Sequence, residues 1–242
     1  MNLLLVEPTE LRPDRTCVLA GRRSDHLRRV LGATVGTTVR AGVLGGNIGS
    51  AVVIGDDGET FVVRIDASTP PPPQLAVELV LAVPRPKVLA RTIETCAAFG
   101  VRRVDLTNAW RVDKSYLRSP RLAATALAAS ARLGAEQGAT THVPELHVHE
   151  RLMSLLDSRF AERSANERRR VIAHPGAPPL EAATGGPPVV LAIGPEGGWI
   201  DRELDTFVAR GFTAASLGAP ILRVEAAVAA ALGQLLLLGR IR

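Results

Sequence analysis

Cysteine and aromatic residues are scarce in this chain. Cys17 and Cys96 are its only two cysteines in 242 residues, and they form no CxxC pair. That leaves neither a disulfide framework nor a thiolate zinc site and points to a reducing cytoplasm. Aromatic residues make up 3%, too few for a single-strand reader built mainly from stacking platforms. Any nucleic acid is therefore expected to be held through phosphates and shape. Neither a GxxxxGK[ST] loop nor a GxGxxG after the first strand is present, and no lysine follows the glycine loops, which argues against a nucleoside triphosphate site. His142, His147 and His149 lie around "THVPELHVHE" without a partnering cysteine, and no metal is expected. A basic leader is missing from "MNLLLVEPTE". The longest apolar segment, Val224–Leu238, is broken by Glu225 and Gln234 and falls short of the roughly 20 residues of a spanning helix. A soluble protein without a membrane role is expected.

What is present is a large apolar fraction, 46%, with a net charge of +5. The first allows a substantial core. The second suits an anionic partner without requiring one. The clearest boundary is Ser68–Gln74, "STPPPPQ", where four prolines favour a semi-rigid spacer. Before it, in 1–67, short strands at Thr37–Arg40, Ser50–Ile54 and Thr60–Ile65 alternate with glycine turns. One helix at Ser24–Val30 is predicted with Ser24 as its N-cap. This pattern suits a small β-barrel-like domain.

After the joint, in 75–242, strands alternate with helices, which predicts an α/β unit with a mostly parallel sheet. Strands are expected at Leu79–Val83, "RRVDLT", "VIA", "VVLAI" and "AASL". Helices are expected at Lys87–Phe99, with Leu89, Ile93, Cys96 and Ala97 on one face and Gly100 as its stop, at Arg121–Gln137, at Asp201–Arg210 and from Glu225 onward. Glu162–Arg170, "ERSANERRR", reads as a solvated face or loop, with RNA contact as the alternative.

Three of these strands end in bends suited to close backbone approach: His174-Pro175-Gly176, Gly194-Pro195-Glu196-Gly197-Gly198, and the run from Gly218 to Glu225. If the strands are neighbours, the bends meet in one crevice beyond their carboxyl ends, where open α/β sheets bind ligands. Glu196 would disfavour a pyrophosphate there and tolerate a cation.

"LAIGPEGGWI" and "LGAPILRVEAAV" resemble the paired C-terminal motifs of the SPOUT-class methyltransferases, and more narrowly of the RsmE family, which methylates N3 of a uridine in 16S ribosomal RNA. "AVPRPKVLARTIETCAAFGVRRVDL", "WRVDKSYLRSP" and "GAEQGATTHVPEL" extend the resemblance upstream, and "HLRRVL" resembles the family's N-terminal PUA-like RNA-binding domain. The resemblance implies a homodimeric enzyme using S-adenosylmethionine, with a trefoil knot in residues 75–242 and a PUA-like barrel in 1–67. It also implies donor contacts around His174, Pro175 and Gly176, around Ile193, Gly194, Glu196, Gly197 and Gly198, and around Leu217, Gly218, Ile221 and Leu222. The expected partner is 16S ribosomal RNA or the small ribosomal subunit. Pro220, Ala226 and Gly32 stand where such sequences often carry arginine, threonine and arginine.

Methyl transfer from a sulfonium needs a nucleophile held in line, and the proton on uridine N3 must leave. Methylation at C5 would usually call for a cysteine nucleophile. Cys96 falls on an apolar helical face and Cys17 lies away from the loops, which favours a nitrogen or oxygen acceptor. Arg223 and Glu225 are the catalytic candidates; pairing with a carboxylate and service to a helix dipole are their respective structural alternatives. For Glu196 the structural alternative is organising its own loop. His26, Arg28 and Arg29 in the first region, and Arg111 and Lys114 after "RRVDLT", are candidate RNA contacts. A ribose 2′-OH acceptor and an RNA-binding module without catalysis stay open as rival functions.

Overall fold

A computed structural model describes residues 2–161, 169–184 and 186–240. The chain forms two compact units: Met1–Pro73 with Arg132–Val143, and Gln74–Ala131 with Pro144–Arg242. The sequence predicts a single division at the proline run; the structure adds Arg132–Val143 to the N-terminal unit. There Arg132 donates to Glu7 Oε1 at 2.5 Å and to the Leu5 carbonyl at 2.6 Å, and the buried Glu136 pairs with Arg22 at 2.7 Å.

The N-terminal unit contains β1 (Leu4–Val6), β2 (Thr16–Leu19), α1 (Arg22–Arg29), β3 (Thr38–Val43), β4 (Ile48–Asp56) and β5 (Phe61–Thr69). They form one sheet in the order β1-β3-β4-β5-β2, antiparallel except for β1 beside β3. In β5 the alternation buries Phe61, Val63 and Ile65 and turns Arg64 out, as a strand with one solvated face requires. At three and four residues, β1 and β2 are too short to show a period of two, and the sequence does not predict them. Ser24 is not the N-cap of α1. Gly21, at φ 57°, holds that place, and the Ser24 hydroxyl donates to the Glu59 carbonyl at 2.7 Å. The proline run starts directly after β5, whose last residues are Ser68 and Thr69.

The second unit contains β6 (Leu75–Ala82), α2 (Pro86–Ala98), β7 (Val101–Thr107), the start of α3 (Ala124–Gly138), β8 (Glu145–His149), α4 (Leu152–Phe160), β9 (Arg169–Ala173), α5 (Leu180–Thr184), β10 (Val189–Ile193), α6 (Asp201–Ala209), β11 (Phe212–Ala215) and α7 (Val224–Arg240). Its six strands are all parallel, in the order β11-β9-β10-β6-β7-β8. Every residue of β10 is buried, which is why "VVLAI" reads as an unbroken apolar run. Gly100, at φ 72°, follows the last turn of α2 and donates to the Ala97 carbonyl at 3.0 Å, the stop its position predicts.

Some boundaries differ from expectation. The strand expected at "AASL" is Phe212–Ala215 instead, anchored by Phe212 edge-on to Phe160 and Phe207. Ser216 and Leu217 thereby pass into the loop. Before α3, Pro120–Leu122 is a separate 3-10 turn capped by the Ser119 hydroxyl. Residues 162–168 of the "ERSANERRR" stretch lie outside the described residues; its Arg169 and Arg170 open β9.

Candidate functional site

β9 lies between β10 and β11, so the three strands that end in glycine or proline bends are adjacent. The bends meet around a cavity of about 310 Å³. Eleven of the twelve residues expected at the donor line it: His174, Pro175, Ile193, Gly194, Glu196, Gly197, Gly198, Leu217, Gly218, Ile221 and Leu222. Gly176 does not; it turns the chain away at φ 78°. Trp199 and Ser216 join the lining, and the sequence does not single them out as contacts.

Trp199 forms the floor of the β10 bend. Its ring is 5% exposed and lies 5.0 Å from that of Phe207. A Cβ at Gly194 would stand 3.2 Å from the Trp199 backbone nitrogen and indole, so only glycine lets the strand end rest there without displacement. The indole Nε1–H is buried without a hydrogen-bond partner among the described residues. A buried donor of this kind lacks the compensation that water would give it.

Partners far along the chain hold the bends in place. Glu196 Oε1 accepts the backbone N–H of Arg85 at 3.0 Å and lies 3.9 Å from its Nε. Glu196 thus ties its loop to the residue preceding α2, whereas the sequence suggests it organises its own loop. Arg111 Nη1 donates to the Gly197 carbonyl at 2.5 Å, and its Cδ would be 3.0 Å from a Cβ at Gly197. Arg111, a candidate RNA contact, therefore also braces the bend after β10. Glu203 accepts the N–H of Ile200 at 3.0 Å and that of Trp110 at 2.8 Å, joining the start of α6 to the segment after β7. On the third bend, Gln234 of α7 donates to the Leu217 carbonyl at 2.9 Å.

The two catalytic candidates flank the cavity without lining it. Leu222 and Val224 face it, Arg223 between them is exposed, and Glu225 is half-buried in the first turn of α7. Neither side chain has an ion pair or hydrogen bond among the described residues, so the carboxylate pairing considered for Arg223 is absent there. Lys114 is exposed. In the N-terminal unit, Arg28 makes two bonds of 2.8 and 2.9 Å to Asp56 and lies 4.4 Å over the Phe61 ring. Arg29 is 3.7 Å from Asp25, and His26 is half-buried.

A second polar group lies on one face of β6, β7 and β8. Asp105 accepts two bonds of 2.9 Å from Arg103, lies 2.7 Å from His149 Nε2 and pairs with Arg159, which also bonds Glu78 at 2.5 Å. Burial pushes the Asp105 pKa up, but Arg103, His149 and Arg159 together hold it below the usual carboxylate range. His147 shares the face, 3.6 Å from Glu145. Among the described residues no group of three or more His, Cys, Asp or Glu could hold a metal, and no helix is long and apolar enough to cross a membrane. Both cysteines are buried and unpaired, and burial pushes the Cys96 thiol up to about 12.

The family model of the RNA methyltransferase domain matches residues 70–236. Ribosomal RNA small subunit methyltransferase E of Treponema pallidum is 28% identical over 247 residues, covering 96% of this chain and 89% of that protein. Ribosomal RNA small subunit methyltransferase E 1 of Borreliella burgdorferi is 23% identical over 231 residues, covering 96% of this chain and 95% of that protein. In fold, the chain is similar to a ribosomal RNA small subunit methyltransferase E from Neisseria gonorrhoeae bound to S-adenosyl methionine, with a TM-score of 0.77, 21% identity and 98% of each chain covered.

Proposed function

The chain belongs to the RNA methyltransferase domain family, and from that premise we propose that it transfers a methyl group from S-adenosylmethionine to N3 of a uridine in 16S ribosomal RNA of the small subunit. The observation that carries this reading is the meeting of three bends from adjacent strands around one cavity with an unpartnered indole N–H in its wall. The names of the curated relatives, which match along nearly the whole chain, support the choice of ribosomal RNA.

The residues suit such a donor. Backbone groups of Ile193–Gly198 and Leu217–Leu222 and the Trp199 N–H would hold its polar atoms, and the Glu196 carboxylate favours a cationic ligand over a phosphate. When bound, S-adenosylmethionine supplies an electrophilic methyl carbon on sulfur. Ile193, Leu217, Leu222 and Val224 give the cavity an apolar part of its lining. Arg223, exposed at the rim, offers a cation to the uracil oxygen that gains charge as N3 loses its proton. Glu225, one residue into α7, is the nearest carboxylate in sequence to take part in that proton transfer.

The N-terminal unit, a curled five-stranded sheet, is read as a PUA-like RNA-binding barrel that contributes His26, Arg28 and Arg29, and the β9–β11 region as the trefoil knot of the SPOUT class. A homodimer is the proposed assembly. A hollow of about 660 Å³, bordered by Leu217, Gly218 and the α7 residues Gln234, Leu237 and Leu238, adjoins the donor cavity, and Leu237 is 57% exposed. A second copy covering it would also steady the third bend. The cytoplasm is the proposed compartment.

Calorimetry with S-adenosylmethionine, followed by mass-spectrometric mapping of 16S RNA methylated by the purified protein, tests the reading. Donor binding and a new methyl on uracil N3 are expected. A methyl found on a ribose 2′-OH would overturn the N3 acceptor, and the absence of donor binding would overturn the enzyme.

A further inference from the structure

Trp110 has no part in the donor cavity, yet its placement is unusual for this protein. Of five phenylalanines, two tryptophans and one tyrosine, Trp110 is the one aromatic side chain that is exposed, at 78%. Its backbone is not loose. Its N–H is held by Glu203 at 2.8 Å, and the next residue, Arg111, grips the carbonyl of cavity-lining Gly197 at 2.5 Å. The ring therefore stands on a braced segment, one residue from a contact with the donor loop. Around it the stretch 108–121 carries Arg111, Lys114, Arg118 and Arg121 against Asp113 alone, all five exposed.

We propose that Trp110 is the stacking platform for a base of the RNA substrate at the mouth of the donor site; this rests on the functional reading above. A flat apolar ring costs free energy in water unless something covers it, and a nucleobase covers it while its phosphates meet the neighbouring cations. Sequence-specific RNA recognition depends on unstacked bases laid on aromatic rings, and chemistry on a base needs that base out of its stack. A second copy of this chain is the poorer occupant, because a symmetric contact at Trp110 would bring two sets of like charges together. The low aromatic content of the chain excludes a long stacking groove but is compatible with one ring at the reacting end.

The test compares wild type, Trp110→Ala and Trp110→Phe in methyl transfer to purified small ribosomal subunits, with donor affinity measured separately by calorimetry. Loss of one stacked base predicts that Trp110→Ala raises KM for RNA about tenfold to a hundredfold, while Trp110→Phe stays within a few-fold and both variants bind donor as wild type does. An unchanged KM in Trp110→Ala overturns the proposal. So does a change in its sedimentation mass, which would place the ring in a contact between copies. Should wild type transfer no methyl group to any RNA, the functional reading fails, and emission spectra then decide on Trp110 alone. Exposed Trp110 emits to the red of buried Trp199, and oligouridylate quenches that red component if the ring stacks a base; an unquenched red component overturns the proposal.

Discussion

At the scale of single residues, the site depends on contacts with little tolerance. A Gly194→Val side chain has no room beside Trp199, so overpacking should cost about 1–3 kcal/mol and remove measurable donor binding, read by a thermal melt and by calorimetry. Arg111→Ala deletes one charge-assisted bond from a largely exposed side chain. Its stability effect should stay within about 1 kcal/mol, while donor affinity falls about fivefold as the Gly197 bend loosens. Equal donor affinity in Arg111→Ala and wild type would show that Arg111 serves only the RNA side. Cys96, its thiol pushed up to about 12 by burial, should resist iodoacetamide in the folded protein and react only after denaturation, as quantified by mass spectrometry. That inertness agrees with an acceptor atom needing no cysteine nucleophile.

At the scale of elements, the charged face of β6, β7 and β8 links stability to pH. The Asp105 pKa is depressed in the folded protein, so the folded state favours its ionised form. The contribution is complete above the unfolded carboxylate pKa of about 4 and disappears as pH falls through the lower folded value. Stability should therefore decline on acidification below about pH 4, as followed by urea titration at a series of pH values. Asp105→Asn leaves Arg103 and Arg159 short of a countercharge; the cost should be about 3–5 kcal/mol, with a flatter acid limb. Elements also differ in how clearly they show in the primary structure. β10 and α2 announce themselves through an apolar run and a helical apolar face closed by Gly100. α4 carries Leu152, Leu155, Leu156 and Phe160 at helical spacing, a periodic signal over little more than two turns. α5, with five residues, has too few turns to show any period.

At the scale of the whole molecule, a donor that binds only the folded second unit should stabilise it by mass action. At a hundredfold excess over Kd the gain is about 2.7 kcal/mol, or roughly 5–10 °C in Tm for a unit of this size. Gly194→Val should abolish that shift, and a wild-type Tm insensitive to S-adenosylmethionine would count against the donor site.

The sequence alone determined the local chemistry: an apolar strand running into "GPEGG", a second bend ahead of α7, and a parallel α/β pattern behind a proline joint. These are legible because glycine, proline and apolar periodicity act on their immediate neighbours along the chain. Only the tertiary structure decided that β9 lies between β10 and β11, that Glu196 reaches Arg85 across 111 positions, and that Arg111 reaches Gly197 across 86. It likewise moved Gly176 off the cavity and brought Trp199 into its wall. Strand order and such pairings come from packing between segments remote along the chain, and short-range pattern carries no information about which remote segment will be the neighbour.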